Sequence, residues 1–246
     1  MDTYGILGFP LGHSFSKKYF SDKFTEEGLD ATFLNFELPT IQEFPTVFNK
    51  HSKLKGFCVT IPYKQAIIPF LDEIDPLAKR IGAVNSVQII RENQKVKLIG
   101  YNTDILGFTE SLRIFLDGTK PKALILGTGG VSKAVATGLE EMGIKYQFVS
   151  RTASDKCISY HMLSSEWVSN YHLIINCTPL GTFPKNHTCP DIPYQLLTKN
   201  HFLYDVVYNP AETLFLKKGA EQGAKTHNGL QMLHLQAEKN WEIWNR

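Results

Sequence analysis

Three observations predict an α/β chain of two units with a cleft between them and a closing helix. Apolar runs of strand length alternate with segments of helix length through residues 1–103, which argues for a mostly parallel sheet. A second series follows residue 104 and carries a glycine-rich turn, the rhythm of a Rossmann-like unit. After Asn228-Gly229 an apolar-striped stretch runs to residue 246 and is expected to pack back on the first unit. The expected units are therefore 1–103, completed by 228–246, and 104–227.

In the first unit the strand candidates are Tyr4 to Phe9, Thr32 to Leu38, Gly56 to Ile61 and Ala83 to Ile90. Lys17 to Glu27 and Thr40 to Lys50 lie between the first three, each long enough for a helical crossover. Arg91-Glu92-Asn93-Gln94 reads as a hairpin turn into Lys95 to Gly100, giving the sheet an antiparallel edge. Pro62 suits the first position of a helix, which would set Lys64 in the first turn at a strand end. In the second unit Ile105 to Leu116 carries a helical stripe with Asp104 as its candidate N-cap. Lys122 to Leu126, Lys145 to Val149, Leu173 to Asn176 and Phe202 to Val207 are strand candidates. The last helix would place Leu230, Leu233, Ala237, Trp241 and Trp244 on one face.

Composition excludes several classes. The 246 residues hold 26 basic and 24 acidic side chains, a formal charge of +2, scattered without long runs of one sign. No electrostatic stripe for nucleic acid results. No apolar run approaches the roughly 18 to 20 residues of a membrane span, and MDTYGILGFP lacks the pattern of a signal peptide. A cytoplasmic chain without membrane or nucleic-acid partners is expected. Cys58, Cys157, Cys177 and Cys189 are widely spaced, so reduced thiols are expected, and none of the eight histidines has metal-ligand spacing.

The run Ala123 to Ala134 passes from an apolar strand into a helix through Gly127-Thr128-Gly129-Gly130-Val131. Gly127 would allow a tight turn, Gly129 a close approach of backbone to a pyrophosphate, and the helix start would offer amides to the anion. Ser132 stands where the third glycine of the fingerprint would be. At the end of the next strand, where NAD-specific folds carry an acid, this chain has Ser150-Arg151-Thr152. A guanidinium and two hydroxyls suit a 2′-phosphate, so NADP is the expected cofactor. Lys156 would reinforce that charge and Asp155 oppose it.

Lys64 is the candidate acid/base. A lysine protonates a developing alkoxide as ammonium and accepts the proton in reverse as amine. A helix start would favour the amine.

Together these segments resemble the shikimate dehydrogenase family over nearly the whole chain. The resemblance rests on Cys58-Val59-Thr60-Ile61-Pro62-Tyr63-Lys64, Gly82-Ala83-Val84-Asn85-Ser86, Gly100-Tyr101-Asn102-Thr103-Asp104 and Asn176-Cys177-Thr178-Pro179-Leu180-Gly181. It extends through Asp205 to Pro210 with Thr213, then Asn228 to Leu233 with Gln236-Ala237. It implies NADPH-dependent reversible reduction of 3-dehydroshikimate to shikimate, on the way to chorismate and the aromatic amino acids. By the same resemblance Lys64 and Asp104 form the catalytic pair, and Ser14 and Ser16 bind the substrate carboxylate. Thr60, Asn85, Asp104 and Gln236 contact its hydroxyls, and Tyr208 joins the substrate-binding set. Gly127 to Val131, with Ser150, Arg151 and Thr152, bind the cofactor, with Val206 and Gly229 near the nicotinamide. A small-molecule substrate, no metal, and a monomer or homodimer are implied.

The chain departs from the family pattern at several places, among them Thr128 and Val131, which enlarge the glycine loop slightly. Cys58 stands where asparagine is usual, the segment after Ser16 lacks its proline, and Lys133 replaces arginine. Two alternatives follow: a quinate/shikimate dehydrogenase of broader substrate or cofactor use, and a module that senses shikimate-like acids without turnover. Retention of Lys64 and Asp104 argues against the second.

Overall fold

The computed structural model describes residues 1–12, 15–92 and 95–246. His13, Ser14 and the Asn93-Gln94 tip of the expected hairpin lie outside the described residues. The chain forms two compact units, Met1–Thr103 with Ala237–Arg246, and Asp104–Gln236. No described helix is long and apolar enough to cross a membrane.

The first unit comprises β1 (Asp2–Gly8), α1 (Phe15–Glu26), β2 (Ala31–Glu37), α2 (Phe44–Lys50), β3 (Leu54–Val59), β4 (Glu73–Ile74), α3 (Pro76–Ile81), β5 (Ser86–Glu92) and β6 (Lys95–Tyr101). Its strands form one six-stranded sheet in the order β2-β1-β3-β5-β6-β4. β1 pairs in parallel with β2 and β3, as the alternation predicts, and β5 runs antiparallel to β6, as the hairpin predicts, while β5 is also antiparallel to β3, a pairing that neither signal anticipated. Period-two alternation sorts the strand side chains onto two faces. Leu7, Phe57, Val59 and Val87 pack with Phe44 and Val47 of α2. Tyr4, Ile6, Phe33 and Cys58 pack with Phe20 and Phe24 of α1 and with Ala237, Ile243 and Trp244.

Two expectations fail here. Thr40 to Lys50 is not one helix: a 3-10 turn at Ile41–Glu43 precedes α2, whose first turn takes Pro45. No α-helix follows Pro62 either. Residues 61–67 are turns leading to a 3-10 segment, Ile68–Phe70. The Lys64 carbonyl instead accepts the Val84 amide at 2.7 Å, which ties the turn to the residues that lead into β5. The helix-start argument for a neutral Lys64 loses its basis.

The second unit holds α4 (Asp104–Leu116), β7 (Ala123–Leu126), α5 (Gly130–Glu141), β8 (Tyr146–Ser150), β9 (Cys157–Ser159), α6 (Ser165–Asn170), β10 (Leu173–Asn176), β11 (Phe202–Asp205), α7 (Leu214–Glu221) and β12 (Lys225–His227). Every strand pairing is parallel, in the order β12-β11-β10-β7-β8-β9. This is the doubly wound order with β7 at the reversal point. β9 and β12 are too short to give a strand pattern in the sequence. Gly138 makes the packing of α5 on α4 possible, since a Cβ there would lie 2.7 Å from a methyl of Thr109.

The last helix, α8 (Leu230–Trp244), is shared: the boundary between the units falls at residues 236 and 237. The stripe expected from sequence is displaced. Leu230 is exposed, Leu233 and Trp241 are half-buried, and the buried positions include Met232, Gln236, Ala237, Asn240, Ile243 and Trp244. Two buried carboxamides on that face hide it from an apolar-periodicity reading.

Within the first unit Trp244 lies flat on Gly56, where an added Cβ would fall 2.2 to 2.7 Å from indole atoms. Gly56→Ala is expected to cost about 1 to 3 kcal/mol of stability through overpacking. Urea unfolding measures it, and an unchanged midpoint would show that the indole moves freely.

Candidate active site

Within the first unit, three of the expected substrate-facing residues meet at one end of the sheet. Thr60 follows β3 directly, and its amide donates to Leu7 of the neighbouring strand at 2.9 Å. Lys64 follows on the turn and is half-buried, tied to the same edge by the bond between its carbonyl and Val84. Asn85 precedes β5 and is 3% exposed, a polar group that must be satisfied internally.

The environment of Asn85 is built from three strand ends. Its amide donates to Tyr101 at 3.0 Å and its carbonyl accepts from Val59 at 2.8 Å, joining the ends of β6 and β3. Its side-chain Oδ1 accepts the Thr103 amide at 2.7 Å, and its Nδ2 donates to Thr103 Oγ1 at 3.0 Å. Thr103 is thus a site residue that sequence reasoning missed. The signal was its place in Gly100-Tyr101-Asn102-Thr103-Asp104, between residues that were singled out. Ser16 is buried in the first turn of α1, the crossover that leaves the same end of β1, while Ser14 lies outside the described residues.

Asp104 opens α4 as its first helical residue rather than as a cap outside it, and is 7% exposed. Gln236 is buried on α8, where Gly107 lets α4 approach: a Cβ at 107 would lie 2.5 Å from the Met232 carbonyl.

In the second unit the glycine loop sits at the end of β7, at the reversal of strand order. Gly127 has φ 103°, a left-handed conformation that favours glycine, and its amide donates to Val149 at 2.8 Å. Gly129 is the N-cap of α5 and has no side chain to accept the first-turn amides. A Cβ at Gly129 or Gly130 would meet nothing within 4 Å, so the helix start is open to an anion. Ser132, in place of the third glycine, is fully buried and donates to the Gly129 carbonyl at 2.7 Å. Thr128 is exposed and Val131 half-buried beside it. One strand over, Ser150 ends β8, and Arg151 and Thr152 follow it exposed, with Asp155 and Lys156 further along. These groups fit a dinucleotide carrying an extra phosphate: uncapped amides for the pyrophosphate and a solvent-facing guanidinium for the second anion.

Val206 and Gly229 touch through their backbones: a Cβ at 229 would fall 2.2 Å from the Val206 carbonyl oxygen. Tyr208 lies just beyond, half-buried. Behind them Asp205 is fully buried and accepts Thr213 Oγ1 at 2.6 Å, Asn176 Nδ2 at 2.9 Å and the Val207 amide at 3.0 Å. The Asn176-Cys177-Thr178 and Asp205-to-Thr213 motifs therefore make a structural lock across β10, β11 and the start of α7. Burial outweighs these three donors and raises the Asp205 carboxyl to about 6. Cys58, Cys157 and Cys177 are buried free thiols and Cys189 is partly exposed.

Residues 6–87 match the shikimate dehydrogenase substrate binding domain. A shikimate dehydrogenase (NADP(+)) of Aquifex aeolicus is 39% identical, covering 98% of this chain and 90% of the relative. A crystal structure of a shikimate dehydrogenase in complex with NADP+ superposes with a TM-score of 0.86 at 31% identity, covering 99% of this chain and 90% of that one. The shikimate 5-dehydrogenase of Thermus thermophilus, in complex with NADP(H) and shikimate, gives 0.85 at 29% identity, covering 99% and 93%.

The Asp205 lock has a pH signature. Because its carboxyl sits at about 6 in the fold against 3.8 as a free group, the fold binds that proton more tightly. Its stabilising contribution is full below pH 3.8 and fades as pH rises through about 6. Asp205→Asn, which cannot titrate, should cost most near pH 4 and progressively less toward pH 7. Urea unfolding of both proteins across that range tests it, and a pH-independent difference would contradict it.

Proposed function

This chain belongs to the shikimate dehydrogenase family, and on that premise we propose that it catalyses NADPH-dependent reversible reduction of 3-dehydroshikimate to shikimate. The observation that carries the proposal is similarity along the full chain, 39% identity over 98% of it, with both Lys64 and Asp104 retained. The first unit, completed by the end of α8, holds the substrate, and the second holds the dinucleotide.

Bound NADPH supplies the hydride. Lys64 Nζ donates a proton to the carbonyl oxygen as it becomes a hydroxyl, and takes that proton back in the reverse direction. Asp104 accepts a hydrogen bond from the same hydroxyl and orients the lysine. Thr60, Asn85, Gln236 and Tyr208 bind the remaining hydroxyls and ring, and Ser14 and Ser16 the carboxylate. Such an anionic polyol is selected by matched donors and acceptors, since each buried partner left unpaired costs about 1 to 3 kcal/mol. Gly127, Thr128, Gly129, Gly130 and Val131 cradle the pyrophosphate. Ser150, Arg151 and Thr152 bind the 2′-phosphate, and Val206 and Gly229 line the nicotinamide through their backbones.

A cytoplasmic address belongs to the same proposal, supported by four cysteines that remain free thiols. A monomer or homodimer is the proposed form.

Turnover followed spectrophotometrically with shikimate or quinate, each paired with NADP⁺ or NAD⁺, tests the reading. Shikimate with NADP⁺ is expected to be the best pair; no turnover with any pair would sink the enzyme assignment, and preference for quinate would move it to the broader alternative. Lys64→Ala should lower kcat by about two to four orders of magnitude. Arg151→Ala should raise KM for NADP⁺ by about tenfold or more and leave that for NAD⁺ unchanged, because only the former carries the second phosphate.

A further inference from the structure

The buried face of α8 carries a carboxamide that an apolar helix face does not need. Asn240 has no exposed surface. Its Oδ1 accepts Thr103 Oγ1 at 2.8 Å, and its Nδ2 donates to Cys58 Sγ at 3.3 Å. All these residues belong to the first unit.

A threonine hydroxyl has one hydrogen, and the direction in which it points decides what its lone pairs can accept. With Asn240 Oδ1 taking that hydrogen, the Thr103 oxygen faces Asn85 Nδ2, 3.0 Å away. Asn85 Oδ1 in turn accepts the Thr103 amide at 2.7 Å. The alternative is close by, because Thr103 Oγ1 lies 3.3 Å from Asn85 Oδ1 and could donate to it instead. Such a switch would redirect the lone pairs of the Thr103 oxygen and weaken its bond to Asn85 Nδ2. Asn240 therefore sets the polarity of the clamp on Asn85.

Cys58 completes the arrangement. It sits on the α8 face of β3, two residues before Thr60, where the family pattern has an asparagine. A thiol is a weak acceptor and does not compete for the carboxamide, and the asparagine missing at 58 is matched by one at 240 on the facing helix.

We propose that Asn240 is a positioning residue for substrate recognition, holding Asn85 through Thr103 and standing in for the carboxamide that position 58 lacks. The inference rests on the shikimate dehydrogenase reading. Steady-state kinetics with shikimate and NADP⁺ on wild type, Asn240→Ala and the double variant Cys58→Asn/Asn240→Ala, with thermal unfolding in parallel, test it. Asn240→Ala should raise KM for shikimate by about tenfold or more, with kcat within about threefold and KM for NADP⁺ unchanged. Cys58→Asn in that background should bring the shikimate KM most of the way back, which a loss of packing alone would not. An unchanged KM in Asn240→Ala, or no recovery in the double variant, overturns the proposal. Should Asn240→Ala fail to fold, Thr103→Val removes the same hydroxyl relay at nearly constant volume. A raised shikimate KM is expected there, and a wild-type value overturns the proposal. Turnover by wild type with unmoved variants sinks this inference alone, whereas no turnover by wild type sinks the functional reading beneath it.

Discussion

Asn85 is the constraint on which the first unit's active edge depends. One residue satisfies the end of β3 and the end of β6 with its backbone and fixes Thr103 with its side chain. A buried carboxamide left without these bonds would be costly, so the three strand ends and the carboxamide have to stay in register together. Thr60 and Lys64 inherit their places from this edge. Thr60 is bonded to Leu7 of β1, and the turn bearing Lys64 is anchored at Val84, the residue before Asn85.

The second unit solves a different problem with the same economy of polar groups. Its glycine loop stands at the end of β7, beside the reversal of strand order between β7 and β10, where doubly wound sheets open a crevice. An uncapped helix start and exposed Arg151 make that opening receptive to anions. Asp205 keeps β10, β11 and the start of α7 aligned from beneath, at the cost of a carboxyl whose ionisation burial opposes. The short motif around Asn176 and the longer one from Asp205 to Thr213 thus shape the unit rather than contact a ligand with their buried polar groups.

Much of this was legible in the sequence because it is written in period and punctuation. Strand-length runs, the glycine loop and the hairpin around residues 91 to 95 each follow local rules, and the parallel and antiparallel pairings agree with them. What escaped is non-local. The turn at Lys64 is not helical and is bonded to Val84, twenty positions away in the chain, and α2 is preceded by a 3-10 entry. The face of α8 was misplaced because Gln236 and Asn240 are polar yet buried, their burial decided by partners such as Thr103 and Cys58 on other elements. β9 and β12 each have only 3 residues, too few for a period to register.

At the centre stands one chemical step, the movement of a hydride between a nicotinamide and the carbinol carbon of shikimate. Reduction of 3-dehydroshikimate with NADPH carrying deuterium at both C4 positions of the nicotinamide, with the product read by mass spectrometry, tests it most directly. Shikimate bearing a single deuterium on the reduced carbon is the predicted product. Unlabelled shikimate, or no shikimate at all, would contradict it.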